Sequence, residues 1–154
     1  MRQRSTVPAE SIQQPVSVVA PTDGSPPSER GVDRAIDLAG QLDATVHTLY
    51  VVNQSHRPGD WDIVVERQET AGETALENAE SRSAAAGVDV EKHLRRGHPA
   101  DEILAFVDET DIELIVMGTH GRNGINRLKH AGSTTERVLR GATVPVLAVP
   151  PDEG

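Results

Sequence analysis

The chain has 154 residues and no cysteine, so it is the length of one domain and holds no disulfide, thiol nucleophile or cysteine-based metal site. Its formal net charge of -9, from 24 acids against 15 bases, argues against nucleic acid or an anionic membrane as partner, since both select basic surfaces. No apolar run approaches the ~18 residues of a membrane span and Met1 to Gln14 lacks the apolar centre of a secretory signal, so a cytoplasmic protein is expected.

Lys92 and Lys129 are the only lysines; the other bases are arginine. An acid-rich, lysine-poor surface resembles those of halophilic proteins, with an ordinary acidic cytosolic protein as the alternative. Tyr50, Trp61 and Phe106 are the only aromatic residues, so the core must be built from Val, Ile, Leu and Ala, which suits a parallel sheet covered by helices.

In chain order, residues 1–14 are polar and patternless and read as a flexible tail, followed by one domain over 15–150 and a short tail over 151–154. Val16 to Ala20 is a short apolar run stopped by Pro21 and predicts a buried first strand. Ser25 before Pro26 fits a helix cap with a first-turn proline, and Val32, Ile36, Ala39 and Leu42 recur at helical spacing. Ala44 to Val52 predicts strand two, and Asn53 to Asp60, with Pro58-Gly59, a loop. Asp62 to Ala86 is rich in alanine and glutamate and reads as a helix ended by Gly87. Val88 to Arg95 predicts a third strand nearer an edge than the centre. Pro99 starts a helix with Ile103, Leu104 and Val107 facing inward. Ile112 to Met117 is the most apolar strand and Val144 to Val149 the last. Five strands alternating with four helices predict an α/β fold with an open five-stranded parallel sheet.

The chemistry concentrates after strand four. Between Leu114 and Thr135 there is no acid, while Arg122, Arg127, Lys129 and His130 reverse the sign of the chain locally. Glycines at 118, 121 and 132 let backbone approach an anion, and a helix opening at Ser133-Thr134 offers unpaired N–H groups, so the stretch reads as a phosphate site. A solvated basic loop is the plainer alternative. Ser133 with Glu136 also has the spacing of a capping box. Asp23, in Pro21-Thr22-Asp23-Gly24-Ser25 at the tip of strand one, either accepts hydrogen bonds from a base or ribose or simply forms its turn. His120 reads as a loop anchor rather than a chemical participant. His47, His56, His93 and His98 have no metal-ligand spacing, so no metal site and no catalytic residue are expected. Both G-x-x-x-x-G-K-[ST] and a G-x-G-x-x-G after strand one are missing, which excludes an ordinary P-loop NTPase or dinucleotide-dependent dehydrogenase.

These motifs together resemble the universal stress protein family over Val16 to Val149. They are Ala20-Pro21-Thr22-Asp23-Gly24-Ser25, Ser28-Glu29-Arg30, Leu49-Tyr50-Val51-Val52, Gly97-His98-Pro99-Ala100, the stretch Ile115 to Arg122, Gly132-Ser133, and Val144 to Val149. The resemblance implies strand order 3-2-1-4-5, a Rossmann-like sheet akin to the adenine nucleotide alpha hydrolases, and a homodimer joined through the last strand. It further implies adenine contacts from Asp23 and the Val51 backbone, a ribose contact at Gly118, and phosphate contacts at Gly121, Gly132, Ser133 and Thr134. Pro21, Thr22, Met117, His120 and Arg122 complete the implied nucleotide site. ATP or a related adenine nucleotide is the implied cofactor, with Mg2+ as an optional companion. The family's ATP-binding branch carries G-x2-G-x9-G-[ST]; here ten residues, Arg122 to Ala131, separate Gly121 from Gly132. The expected function is a homodimeric stress-response module that binds adenine nucleotide in the crevice between strands one and four and signals to a downstream protein. Hydrolysis is at most slow and incidental. A nucleotide-free dimeric scaffold of the same fold is the alternative.

Overall fold

Val18, Val19 and Ala20 have no exposed surface, as befits a strand covered on both faces, whose sequence reads as a continuous apolar run. The computed structural model describes residues 16–54, 61–119 and 132–151, with the side chains of 61 and 62 outside that description. Its elements are β1 (Ser17–Pro21), α1 (Pro26–Leu42), β2 (Thr45–Asn53), α2 (Trp61–Ala85), β3 (Val90–Gly97), α3 (Pro99–Thr110), β4 (Leu114–Gly118), α4 (Ser133–Gly141) and β5 (Val146–Val149). The tail expected at 1–14, residues 152–154 of the C-terminal tail, most of the loop after β2, His56, His120, Gly121 and the basic stretch from Arg122 to His130 lie outside the described residues.

All five strands pair in parallel in the order β3-β2-β1-β4-β5. Alternation along the strands divides the core in two. Val18, Ala20, Val46 and Val116 pack against Val32, Ala35, Ile36 and Ala39 of α1, while Tyr50 and Val52 meet Val65, Ala75 and Leu76 of α2. On the opposite face Val19, Leu49, Ile115 and Met117 pack against Ala100, Ile103, Phe106 and Val107 of α3 and Val138 of α4. The winding direction reverses between β1 and β4, which opens a crevice beyond their carboxyl ends.

Local chemistry sets most boundaries. Ser25 caps α1, its hydroxyl accepting the Ser28 N–H at 3.5 Å, with Pro26 and Pro27 in the first turn. Ile112, expected inside β4, instead donates its N–H to the Val107 carbonyl across the left-handed residue Asp111, closing α3 before the strand begins. β5 starts two residues later than expected because Pro145 has no N–H; its carbonyl accepts from Ile115.

The capping box expected at the start of α4 does not form either. Ser133 is the first residue of α4, not its cap: Gly132 holds that position, and no side chain among the described residues caps the helix. Glu136 pairs with Arg140 one turn on, at 3.1 Å, so the capping box does not form. The cause is the backbone at Gly132, with φ 97° and ψ 151°, a conformation that a residue with a Cβ rarely adopts.

Candidate functional site

The tips of β1 and β4 are drawn together by an absence of side chains. A Cβ on Gly118 would lie 1.8 Å from the Pro27 carbonyl oxygen, and one on Gly31 would lie 2.9 Å from the Gly118 nitrogen. The first turn of α1 therefore crosses directly over the end of β4. Arg30 adds a hydrogen bond from Nη2 to the Thr119 carbonyl at 3.4 Å. Gly118 is thus required by packing, whatever it also does for a ligand.

The β1–α1 loop is held by its own hydroxyls. Thr22 is buried; its Oγ1 donates to Glu29 Oε2 at 3.1 Å and accepts the Gly24 N–H at 3.0 Å. Ser28 Oγ donates to the Ser25 carbonyl at 2.9 Å and accepts the Asp23 N–H at 3.2 Å. Asp23 Oδ1 accepts the Ser25 N–H at 2.9 Å, which is an Asx turn, so the turn-forming role of this carboxylate is realised. Partial burial pushes the Asp23 carboxyl up, but the hydrogen bonds from Ser25 and Ser28 outweigh it and leave the group below its usual value. Asp23 is ionised at neutral pH and remains exposed.

Beyond these tips lies a crevice of about 290 Å3. Nine of the twelve residues singled out in the sequence line it: Pro21, Thr22, Asp23, Val51, Met117, Gly118, Gly132, Ser133 and Thr134. The remaining three, His120, Gly121 and Arg122, lie outside the described residues. Its lining combines the β1 loop with Asp23 and the start of α4, where glycine stands at the cap position and no side chain among the described residues caps the helix. First-turn helix N–H groups, the partial positive charge of a helix start and a glycine in place of a capping side chain together suit a phosphate. The same space offers apolar surface to a ligand, since Leu49, Val51, Ile103 and Met117 line it. Pro99 and Ile103 were not among the expected site residues; the signal was there, since a first-turn proline and a residue four on share the helix face that meets the strand tips.

A second set of polar groups lies away from the crevice. His47 and His93, 46 residues apart, touch across β2 and β3 with Nδ1 and Nε2 3.1 Å apart, and Glu91 stands beside both. The three place their ligand atoms close enough together to hold a metal ion, a grouping that histidine spacing along the chain does not reveal. Linear spacing misses the pair because the register of two strands joined through a helix is what brings them together.

An open parallel sheet in the order β3-β2-β1-β4-β5, with a crevice at its switch point lined by a glycine tip and a helix start, defines a doubly wound α/β protein. More narrowly, residues 17–150 match the sequence profile of the universal stress protein family, and the chain belongs to that family. It is 36% identical over 137 residues to a universal stress protein of Methanocaldococcus jannaschii, covering 86% of this chain and 80% of the relative. A solved universal stress family protein from Burkholderia pseudomallei superposes with a TM-score of 0.74 at 30% identity, covering 88% of this chain and 96% of that one. A universal stress protein solved in complex with cAMP superposes at 0.64 with 29% identity, covering 90% and 98%.

Proposed function

We propose that the protein is a cytoplasmic, homodimeric stress-response module that binds ATP or a related adenine nucleotide between β1 and β4. The observation that carries this is that Asp23, the apolar side chains of Leu49, Val51, Ile103 and Met117, and the start of α4 line one crevice, so phosphate and base would find complementary groups in the same space. The solved relative that holds cAMP supports an adenine ligand. Ser133 and Thr134 would orient phosphate oxygens, the Val51 backbone and Asp23 would meet the adenine edge, and Mg2+ would join only as a companion of the phosphates. Among the described lining residues Asp23 is the only carboxylate, and no general base stands beside it, so the crevice suits holding a nucleotide better than cleaving it. The dimer would form through β5, an edge strand with Leu147 and Ala148 exposed.

The extra residue between Gly121 and Gly132 favours the alternative, a nucleotide-free scaffold, yet a loop absorbs one residue for only a fraction of about 1 kcal/mol. Mass spectrometry of ligand released from gently purified protein, followed by calorimetry of the stripped chain with ATP, ADP, cAMP and GTP, separates the two readings. Adenine nucleotide recovered and rebound is expected. No released ligand and no heat at millimolar ATP would leave the scaffold standing. Leu147→Glu should convert the dimer to a folded monomer in sedimentation, with a melting temperature that no longer depends on protein concentration.

A further inference from the structure

The register that sets His47 opposite Glu91 and Leu49 opposite His93 turns residues 47, 91 and 93 toward α3. There the two imidazoles lean on Phe106, with ring centroids 5.8 Å (His47) and 4.6 Å (His93) from it. His47 Nδ1 and His93 Nε2 are 3.1 Å apart, and Glu91 Oε1 is 3.8 Å from the first and 4.0 Å from the second. In a triangle with sides of 3.1, 3.8 and 4.0 Å the point equidistant from the corners lies about 2.1 Å from each, the length of a zinc bond to imidazole nitrogen or carboxylate oxygen.

We propose that His47, Glu91 and His93 form a three-ligand site for a divalent transition ion of borderline softness, represented by Zn2+. Two imidazoles with one carboxylate suit Zn2+, Co2+ or Ni2+ rather than Mg2+ or Ca2+, which call for oxygen ligands. Burial holds both imidazoles below the usual histidine value, His47 and Arg95 adding to the effect at His93 while Glu91 opposes it at each. Both rings are therefore neutral at neutral pH and offer lone pairs. The proton that the two nitrogens share moves to an outer ring nitrogen or leaves when the ion takes its place. Arg95 is the cation whose charge is felt at His93, and that charge is engaged by Glu109 at 2.5 Å and Glu102 at 3.6 Å. Glu91 is mostly exposed, so it can close on an ion arriving from solvent and leaves a coordination position open to water. None of the three ligands lines the nucleotide crevice, and the bound ion would tie the edge strand β3 to β2.

The test uses the full, tag-free chain stripped of nucleotide and metal, titrated with Zn2+ by calorimetry and with Co2+ by visible absorption. One ion per chain is expected, with a low-coordinate Co2+ band and a melting temperature that rises with Zn2+. His93→Gln should weaken Zn2+ binding by more than about 100-fold, since even outer partners of such ligands are worth 10–100-fold. Glu91→Gln should weaken it less, and His98→Gln not at all. Glu91 is exposed enough to vary without touching the core, so it decides the matter even where His93→Gln melts early. No saturable uptake at millimolar Zn2+, or uptake unchanged in both folded variants, would overturn the site.

Discussion

Asp23 serves its own loop before any ligand, and its substitutions divide accordingly. Asparagine keeps a carbonyl oxygen to accept the Ser25 N–H, so Asp23→Asn should melt within about 0.5 kcal/mol of the parent at neutral pH. It replaces an acceptor-only carboxylate with a group that also donates, so affinity for ATP should fall and the preference for ATP over GTP should narrow in parallel calorimetric titrations. Alanine loses the turn as well. Because the folded carboxyl sits below its usual 3.8, the stability it lends is complete above that pH and drains away as acid takes the pH lower. The melting gap between parent and Asp23→Ala should stay level from neutral pH down to about 3.8 and shrink below it; a gap that closes at higher pH would assign the effect to other groups.

The glycines of the site are poor probes of binding. Gly118→Ala drives a Cβ into the Pro27 carbonyl, and any Cβ at Gly132 meets a left-handed backbone, so both would damage the fold first. Ser133→Glu separates the effects by sign. An acid in the first turn of α4 favours the helix by about 0.3–1 kcal/mol, while the same charge repels phosphate. A melting temperature at or above the parent's, with ATP affinity down at least tenfold, is the expected pair of results. Undiminished affinity would remove phosphate from the start of α4.

Among the elements, the two long helices on one sheet face carry interior glycines that answer the same substitution with opposite signs. At Gly40 in α1 an added Cβ meets only Val88 Cγ2 at 3.7 Å, ordinary contact, so Gly40→Ala should stabilise by about 0.5–1 kcal/mol through helix propensity. At Gly72 in α2 the added Cβ would lie 2.7 Å from the buried Tyr50 ring, and overpacking of about 1–3 kcal/mol exceeds the propensity gain, so Gly72→Ala should destabilise. Thermal melts that move the same way for both would refute the packing account. The elements themselves were legible because each was marked locally: an apolar run for β1, Ser25-Pro26 for α1, and exposed alternate residues for the edge strand β3. What spacing missed depends on contacts between distant segments. Gly132, with its φ of 97°, took the cap that Ser133-x-x-Glu136 advertised, and the parallel register joined His47 to His93. The packing of Gly118 on Pro27 was equally hidden, since a strand-tip glycine reads the same whether it makes room for backbone or for ligand.

For the whole molecule the decisive quantity is the excess of charge. Several acids are neutralised in pairs, among them Glu29 and Asp33 with Arg82, Glu109 with Arg95, Glu69 with Arg96 and Asp101 with Arg137. Such surface pairs are worth about 0–1 kcal/mol each, and salt weakens them. Acting alone they would make the protein less stable in brine. Against them stands a net charge of -9, whose self-repulsion spans the whole surface and is screened to about 3 Å in 1 M salt. Because the pairs are short-ranged and individually weak while the repulsion sums over every unpaired carboxylate, screening should relieve more strain than it removes attraction. We therefore expect the melting temperature to rise steadily from dilute buffer to molar potassium chloride, a salt that does little to strengthen apolar burial by exclusion in the way sulfate does. Arg82→Gln, which releases Glu29 and Asp33 from their partner, should deepen that salt dependence. A melting point that is flat or falls across the same range would mean that the ion pairs outweigh the excess charge, and the acid-rich, lysine-poor composition would then mark no adaptation to salt.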